Sequence, residues 1–235
     1  ASHVIKSTIV NNRITTNSME PRASIGIFNK GEDKLTLYAS NQGPNRVRQE
    51  IAHVLHLPEN KLQVISPDVG GGFGMKGGFY GEDILVLWAA QKLTRPVKWN
   101  SERLESFITD SHARDVVADC EIAFNADGKV TALRVSADYN IGAYLAPSGG
   151  ISPMFFTLLL SGGYAIPVIS VTTRCQFTNT SSTAPYRGAG RPEAAFVLER
   201  LMDLAATEIG LDAIELRRKN LIKSDQMPFQ TALMH

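Results

Sequence analysis

Charge of one sign is what this sequence lacks most clearly: 24 Lys and Arg stand against 23 Asp and Glu, a formal net charge of +1. A phosphate backbone or an anionic membrane surface normally calls for a basic surplus or a concentrated basic patch, so nucleic acid is a poor first partner. Long apolar runs are missing too. The most apolar stretch, Ile151 to Ser170, is broken by Pro153, Gly162, Gly163 and Pro167, short of the roughly 20 continuous apolar residues that span a bilayer. No membrane helix is expected. Cysteine is scarce, since Cys120 and Cys175 allow at most one disulfide, and a chain of 235 residues buries a sizeable core without one. A reducing, cytoplasmic compartment is the expectation. The first residues, Ala1-Ser2-His3-Val4, offer neither an initiator Met nor the regions of a signal peptide, which reads as a processed or truncated chain.

What is present is a concentration of glycine. Of 19 glycines, Gly70, Gly71, Gly72, Gly74, Gly77, Gly78 and Gly81 crowd into one window. The chain around them reads as mixed structure. Ser24 to Phe28 and Lys34 to Ser40 flank the polar turn Asn29-Lys30-Gly31-Glu32-Asp33, the spacing of a hairpin. From Arg46 the period changes: Val47, Ile51, Val54 and Leu55 form the stripe of an amphipathic helix that stops before Pro58. Leu62 to Ile65 is a short strand, the glycine loop follows, and Asp83 to Leu93 is a helix-length apolar run ended by Thr94-Arg95-Pro96. Val97 to Trp99 reads as a strand, and Val116 to Phe124 with Val130 to Tyr139 as a second hairpin. Val168 to Phe177 is β-branched, Pro192 opens and Gly210 closes a long helix, and Asp212 caps a final basic one. Hairpins mixed with separated helices, without regular βαβ alternation, predict an α+β fold. The expected architecture is two-layered: a mixed β-sheet packed against helices Arg46 to Leu57, Asp83 to Leu93 and Pro192 to Gly210, as one domain over residues 1–235.

A run of glycines removes every Cβ and permits positive φ, so backbone N–H groups can approach a bulky polar ligand. Phe73 is then the one side chain presented against it. The plainer reading is a wide loop that needs several such conformations. Gly72-Phe73-Gly74-Met75-Lys76-Gly77 also matches G-x-G-x-x-G between a strand and a helix, the outline of a dinucleotide site. That mechanism needs a tight turn and a carboxylate on the next strand; Ser66 to Val69 intervene here, and Val97 to Asn100 has no carboxylate. His53, His56 and His112 show no metal-ligand spacing, and no Ser-His-Asp or Cys-His set is evident.

Four segments in order, Asn17-Ser18-Met19-Glu20-Pro21-Arg22, Asn41-Gln42-Gly43-Pro44, Gly70-Gly71-Gly72-Phe73-Gly74 and Tyr186-Arg187-Gly188-Ala189-Gly190-Arg191-Pro192-Glu193, together resemble the molybdopterin-binding subunit of the xanthine dehydrogenase and aldehyde oxidase family. The resemblance implies a molybdopterin dithiolene holding molybdenum, with no protein metal ligand in this chain. It implies that Gln42 contacts the apical oxo group, that Gly71, Gly72, Phe73 and Gly74 pack on the dithiolene and pterin, and that Arg187 and Gly188 belong to a second pterin loop. It further implies oxidative hydroxylation with water as oxygen source, and iron–sulfur clusters and FAD on partner chains or domains. Each residue alone has a duller reading: Gln42 a turn amide, Phe73 a core aromatic, Arg187 a surface ion-pair partner.

Departures from the family bear on substrate. Purine-oxidising members carry Glu after the loop Lys, an aromatic two residues after the second-loop Arg, and an Arg before Tyr164-Ala165-Ile166-Pro167; this chain has Gly77, Ala189 and, at about Phe155, an apolar stretch. An aldehyde or another less polar compound fits better than a purine. Carbon monoxide dehydrogenases place a copper-binding Cys where this chain has Gly188, so no copper is expected. The family's catalytic Glu, which lies near the subunit's C-terminus, has no match; Glu199, Glu208 and Glu215 read as solvated helix faces. The expectation is a fragment, inactive alone, whose partners are the remaining half of the molybdenum subunit and the iron–sulfur and FAD subunits. The alternatives are an NAD- or FAD-binding dehydrogenase domain and a non-enzymatic interaction module.

Overall fold

The computed structural model describes residues 1–233. In chain order the strands are β1 (His3–Asn11), β2 (Ile14–Thr15), β3 (Ala23–Asn29), β4 (Lys34–Ala39), β5 (Leu62–Ile65), β6 (Val97–Asn100), β7 (His112–Ala113), β8 (Val116–Phe124), β9 (Val130–Gly142) and β10 (Ile169–Phe177). The helices are α1 (Pro44–Val54), α2 (Gly81–Leu93), α3 (Arg103–Thr109), α4 (Ile151–Leu159), α5 (Arg191–Ile209) and α6 (Ala213–Asn220). The chain divides into two compact units. A central unit holds residues 15–112 and 146–148, and a terminal unit holds, among the described residues, 1–14, 113–145 and 149–233.

In the central unit β3 and β4 pair antiparallel across the polar turn, where Asn29 Oδ1 accepts the Gly31 amide at 3.0 Å and the Glu32 amide at 3.3 Å. An Asx turn of this kind substitutes a side chain for a backbone acceptor. The sheet runs β5-β4-β3-β6, with β5 parallel to β4 and β6 antiparallel to β3. Helices α1 and α2 cover it through a core of Leu35, Leu37, Val47, Ile51, Leu62, Val86 and Leu87. Leu37, Ile51 and Leu87 are wholly enclosed, and truncating any one to Ala costs about 2–5 kcal/mol. The α1 stripe ends where His56 turns left-handed at φ 54°.

The terminal unit has its own sheet, β1-β8-β9-β10, antiparallel except for the parallel β9–β10 pair. Strand β8 alternates buried and less buried positions, so one face carries Ile122 and Phe124 into a core shared with Leu198, Leu201 and Met202 of α5 and Phe156 of α4. The caps act as the sequence predicts. Gly210 closes α5 with φ 75° and Pro192 lies in its first turn, while Asp212 Oδ1 accepts the amides of Ile214 and Glu215 at 2.9 and 3.0 Å.

The α+β reading holds, with two departures. There are two four-stranded mixed sheets rather than one, each with its own helices, because local hydrophobic periodicity does not say which strands pair at a distance. Two helices escape the sequence pattern. Helix α4 is mostly apolar, with Pro153 in its first turn, where a missing N–H costs nothing, and α3 spans 7 residues, too short for a stripe.

Candidate cofactor-binding site

In the central unit three of the four motif segments meet. The Glu20 amide donates to Gly70 O at 3.1 Å, and the Gln42 amide donates to Lys76 O at 2.9 Å. Gln42 Oε1 accepts the Gly74 N–H at 2.8 Å. Since that hydrogen must face an oxygen, the carboxamide orientation is fixed. Its Nε2 group is then left with two donors and no partner among the described residues. Gly72 makes this arrangement possible, because a Cβ there would fall 2.6 Å from Gln42 Cγ, Cδ and Oε1.

Between these anchors the backbone is contorted. Phe73 sits at φ 51°, flanked by Gly71 at 99° and Gly74 at 98°. A left-handed aromatic residue costs about 1–2 kcal/mol, held here by the hydrogen bonds on either side. Phe73 is 42% exposed, which makes it a presented aromatic and not the core residue its duller reading allows.

The loop is also tied on its buried side. Lys76, whose side chain is 0% exposed, donates from Nζ to Glu20 Oε2 at 2.8 Å, Glu20 O at 2.9 Å and Ser40 Oγ at 2.6 Å. Burial alone raises the Glu20 carboxyl, but hydrogen bonds from Lys76, Ser40 and the Gly70 amide, with the Lys76 charge, hold it below the usual carboxylate range. Arg22 of the same motif donates from Nε to Asp110 Oδ1 at 2.6 Å and from Nη1 to Glu82 Oε2 at 3.0 Å, and stacks 3.7 Å from the Tyr80 ring centre. Tyr80 in turn donates to Met75 O at 2.9 Å, so the loop exit rests on a buried charge cluster.

The dinucleotide alternative does not fit this geometry. The loop leaves edge strand β5 of a mixed sheet, and a short 3-10 turn over Met75–Gly77 separates Gly72-Phe73-Gly74 from α2, which begins only at Gly81, so the tight strand-to-α-helix turn which that site requires is missing.

The fourth segment lies in the terminal unit. Gly188, Ala189 and Gly190 all have positive φ, of 101°, 43° and 87°. Gly190 is obligatory: a Cβ would lie 2.2 Å from Ser152 O and 2.6 Å from Phe156 N, both backbone atoms of the α4 region. The loop is held from inside by Arg114, whose Nη1 donates to Glu193 Oε2 at 2.7 Å and whose Nη2 donates to Arg187 O at 3.1 Å. The Arg187 side chain is exposed and makes no hydrogen bond or ion pair with the described residues, contrary to the surface ion-pair reading. Arg191 lies over Phe155, 4.3 Å from the ring centre.

Of the site residues expected from sequence, Gln42, Gly71, Gly72, Phe73 and Gly74 are brought together in the central unit, and Arg187 and Gly188 share a loop in the terminal unit. Sequence reasoning missed the supports. Glu20 and Glu193 stand inside the motif segments and Lys76 two residues beyond one, and they were readable as buried partners only once folded; Arg114 carried no signal. Glu199 is not simply a solvated face, since it accepts from Tyr164 Oη at 2.8 Å and Arg217 Nε at 2.7 Å. Among the described residues no group of three or more His, Cys, Asp or Glu is placed to hold a metal ion, and no helix is long and apolar enough to cross a membrane.

The gamma subunit of the 6-hydroxypseudooxynicotine dehydrogenase complex of Paenarthrobacter nicotinovorans is 34% identical over 233 residues, 99% of this chain and 29% of that protein. The carbon monoxide dehydrogenase large chain of Hydrogenophaga pseudoflava is 34% identical over 91% of this chain and 27% of its own length. Quinoline 2-oxidoreductase from Pseudomonas putida 86 superposes with a TM-score of 0.96 at 30% identity, covering 100% of this chain and 30% of that one. The chain thus spans about three-tenths of the length of these relatives. A family model described as the molybdopterin cofactor-binding domain matches residues 1–221, across both compact units, and the chain belongs to that family.

Proposed function

We propose that this chain binds molybdopterin as part of a larger molybdenum hydroxylase, with Gln42, Gly71, Gly72, Phe73 and Gly74 of the central unit and Arg187 and Gly188 of the terminal unit as its cofactor-contacting residues. The observation that carries this reading is the Gln42 carboxamide: its oxygen is committed to Gly74 N–H, which leaves an NH2 donor without a partner among the described residues, one that would hydrogen-bond the cofactor without ligating its metal. The glycine cradle admits a bulky polar group close to the backbone. The exposed Phe73 face supplies an apolar surface for a ring system, and the free Arg187 guanidinium supplies a planar fork for carbonyl or phosphate oxygens. These residue types fit the cofactor.

When bound, the molybdenum cofactor supplies two-electron oxidation, the added oxygen coming from water. This chain's residues bind and orient. Gln42 holds a donor at a fixed position, Gly72 keeps that donor in place, and Phe73 excludes water from one side. The proton-accepting Glu is assigned to the rest of the protein, so this segment alone does not turn over. Iron–sulfur clusters and FAD on partner chains or domains take the electrons, and the two free cysteines suit a reducing, cytoplasmic compartment. Gly77, Ala189 and Phe155 favour an aldehyde or a weakly polar heterocycle over a purine, and Gly188 leaves no thiolate for copper, in contrast to the copper and molybdenum carbon monoxide dehydrogenase among the similar structures.

The test uses the intact protein. Molybdenum and pterin are measured per chain for wild type, Gly72→Val and Arg187→Ala, with an aldehyde and heterocycle panel under a reducing-equivalent assay. Both variants are expected to lose most of the pterin. Full pterin content in both, or stoichiometric copper with carbon monoxide oxidation in the wild type, overturns the corresponding part of the proposal.

A further inference from the structure

We infer that the buried Lys76–Glu20 ion pair is a positioning device for the glycine loop, setting the direction of the Gln42 donor through the Lys76 carbonyl. The inference rests on the cofactor reading above for its purpose, and on geometry alone for its existence.

A loop rich in glycine has more conformational freedom to lose than any other, so presenting fixed N–H groups requires anchors. One carboxylate serves both ends of this loop. Glu20 Oε2 accepts the Gly70 amide at 3.0 Å where the loop begins and Lys76 Nζ at 2.8 Å where it ends. The ammonium has three hydrogens, and Glu20 O at 2.9 Å and Ser40 Oγ at 2.6 Å take the other two. No freedom remains at Lys76 Nζ. The same residue's carbonyl accepts the Gln42 amide at 2.9 Å, and Gly74, two residues earlier, donates to Gln42 Oε1 at 2.8 Å. The order of action is therefore Glu20 to Lys76, Lys76 to the Gln42 backbone, and the loop apex to the Gln42 side chain.

A purely stabilising part would not need these residue types. Replacing both members of a buried pair by uncharged side chains is often neutral for stability, whereas removing one member is not. What only the charged pair supplies is direction: three hydrogen bonds from one point of the loop, two onto Glu20 and one onto Ser40. That difference separates positioning from packing.

The experiment compares wild type, Ser40→Ala, Glu20→Gln and the double variant Glu20→Gln with Lys76→Met in the intact protein, with cofactor and after its release. Three quantities are read: amide exchange across Gly70 to Gly78, tryptic cleavage at Lys76, and pterin per chain, each beside Tm. In the variants that retain Lys76, loop exchange and cleavage after Lys76 should rise about tenfold for Glu20→Gln and about threefold for Ser40→Ala in the cofactor-free protein. The double variant should recover most of the Tm lost in Glu20→Gln while loop exchange stays fast and pterin content stays several-fold low. Wild-type exchange in Glu20→Gln, or recovery of loop protection together with Tm in the double variant, overturns the positioning role. If instead Gly72→Val retains full pterin, the cofactor reading fails while the exchange data still decide the loop's support.

Discussion

Two glycine-rich loops, one in each compact unit, are held by the same kind of device made from different chemistry. In the central unit a lysine ammonium, a point charge with three donors, has every hydrogen bonded. In the terminal unit an arginine fork divides its bonds between a carboxylate and two loop carbonyls, and Glu193 Oε1 is buried without a hydrogen-bond partner among the described residues. The first loop needs one fixed point behind a run of glycines, which a compact ammonium supplies. The second needs a carbonyl and a carboxylate held in one plane, which suits a guanidinium. The residue presented differs as well: a strained aromatic, Phe73, from the first and an exposed cation, Arg187, from the second. A buried cation therefore organises each loop, while the side chain offered outward sets what the loop can hold.

The comparison breaks most severely at Gly190. Gly190→Val drives a branched side chain into backbone atoms of the α4 region at a positive φ, and the expected result is no folded protein or a loss of more than about 5 kcal/mol in denaturant unfolding. Gly77→Ala, where a Cβ meets nothing within 4 Å, should stay within about 0.5 kcal/mol; similar effects at the two positions would show that glycine content, not close approach, governs both loops. Next in size is Arg114→Met, which leaves Glu193 buried without its counter-charge and should cost about 3–5 kcal/mol, most of it recovered when Glu193→Leu is added. A cost below about 1 kcal/mol for Arg114→Met would mean the fork is ornamental to the second loop.

Smaller still in stability is Gly72→Ala. The atoms it displaces belong to the flexible Gln42 side chain, so the expected cost is about 1 kcal/mol while pterin content falls several-fold. Retention of pterin at wild-type level would separate Gln42 from the cofactor and leave the first loop a structural turn.

How much of this was legible in the sequence depends on range. Helices α1, α2, α5 and α6 announced themselves through stripes or apolar runs and through Pro192, Gly210 and Asp212, because periodicity and capping are local. The division into two sheets was not local. Which of β1 and β3 pairs with β8 or β6 is decided by contacts far apart in sequence, and an alternating strand fits either partner. The site divides the same way. Gln42, Phe73 and Arg187 were readable from motif segments, but their supports were not, since Lys76 lies 56 positions from Glu20 and Glu193 lies 79 from Arg114. Arg114 and Asp115, both at φ 65°, are non-glycine residues in the left-handed region, a conformation that composition does not announce.

The smallest predicted effect is a pH dependence confined to the first loop. The Glu20 side chain is 37% exposed while Glu193 is 1% exposed, so the Lys76 clamp is the one that solvent protons reach. Burial alone raises the Glu20 carboxyl, yet hydrogen bonds from Lys76, Ser40 and Gly70 and the Lys76 charge hold it below its reference value of 4.5. A folded value below the unfolded one means that the carboxylate's contribution is fully present above about pH 4.5 and is lost as pH falls through the depressed folded value. With more than a third of the side chain in solvent, screening limits that contribution to less than about 1 kcal/mol. Amide exchange across Gly70 to Gly78, corrected for its intrinsic pH dependence, should therefore quicken modestly as pH drops below 4.5. Glu20→Gln, already fast, should show no further change across the same window, because the titrating group is gone. An equal acid response in both proteins would trace the loosening to some other carboxylate and remove the charge at Glu20 from the account of how the first loop is held.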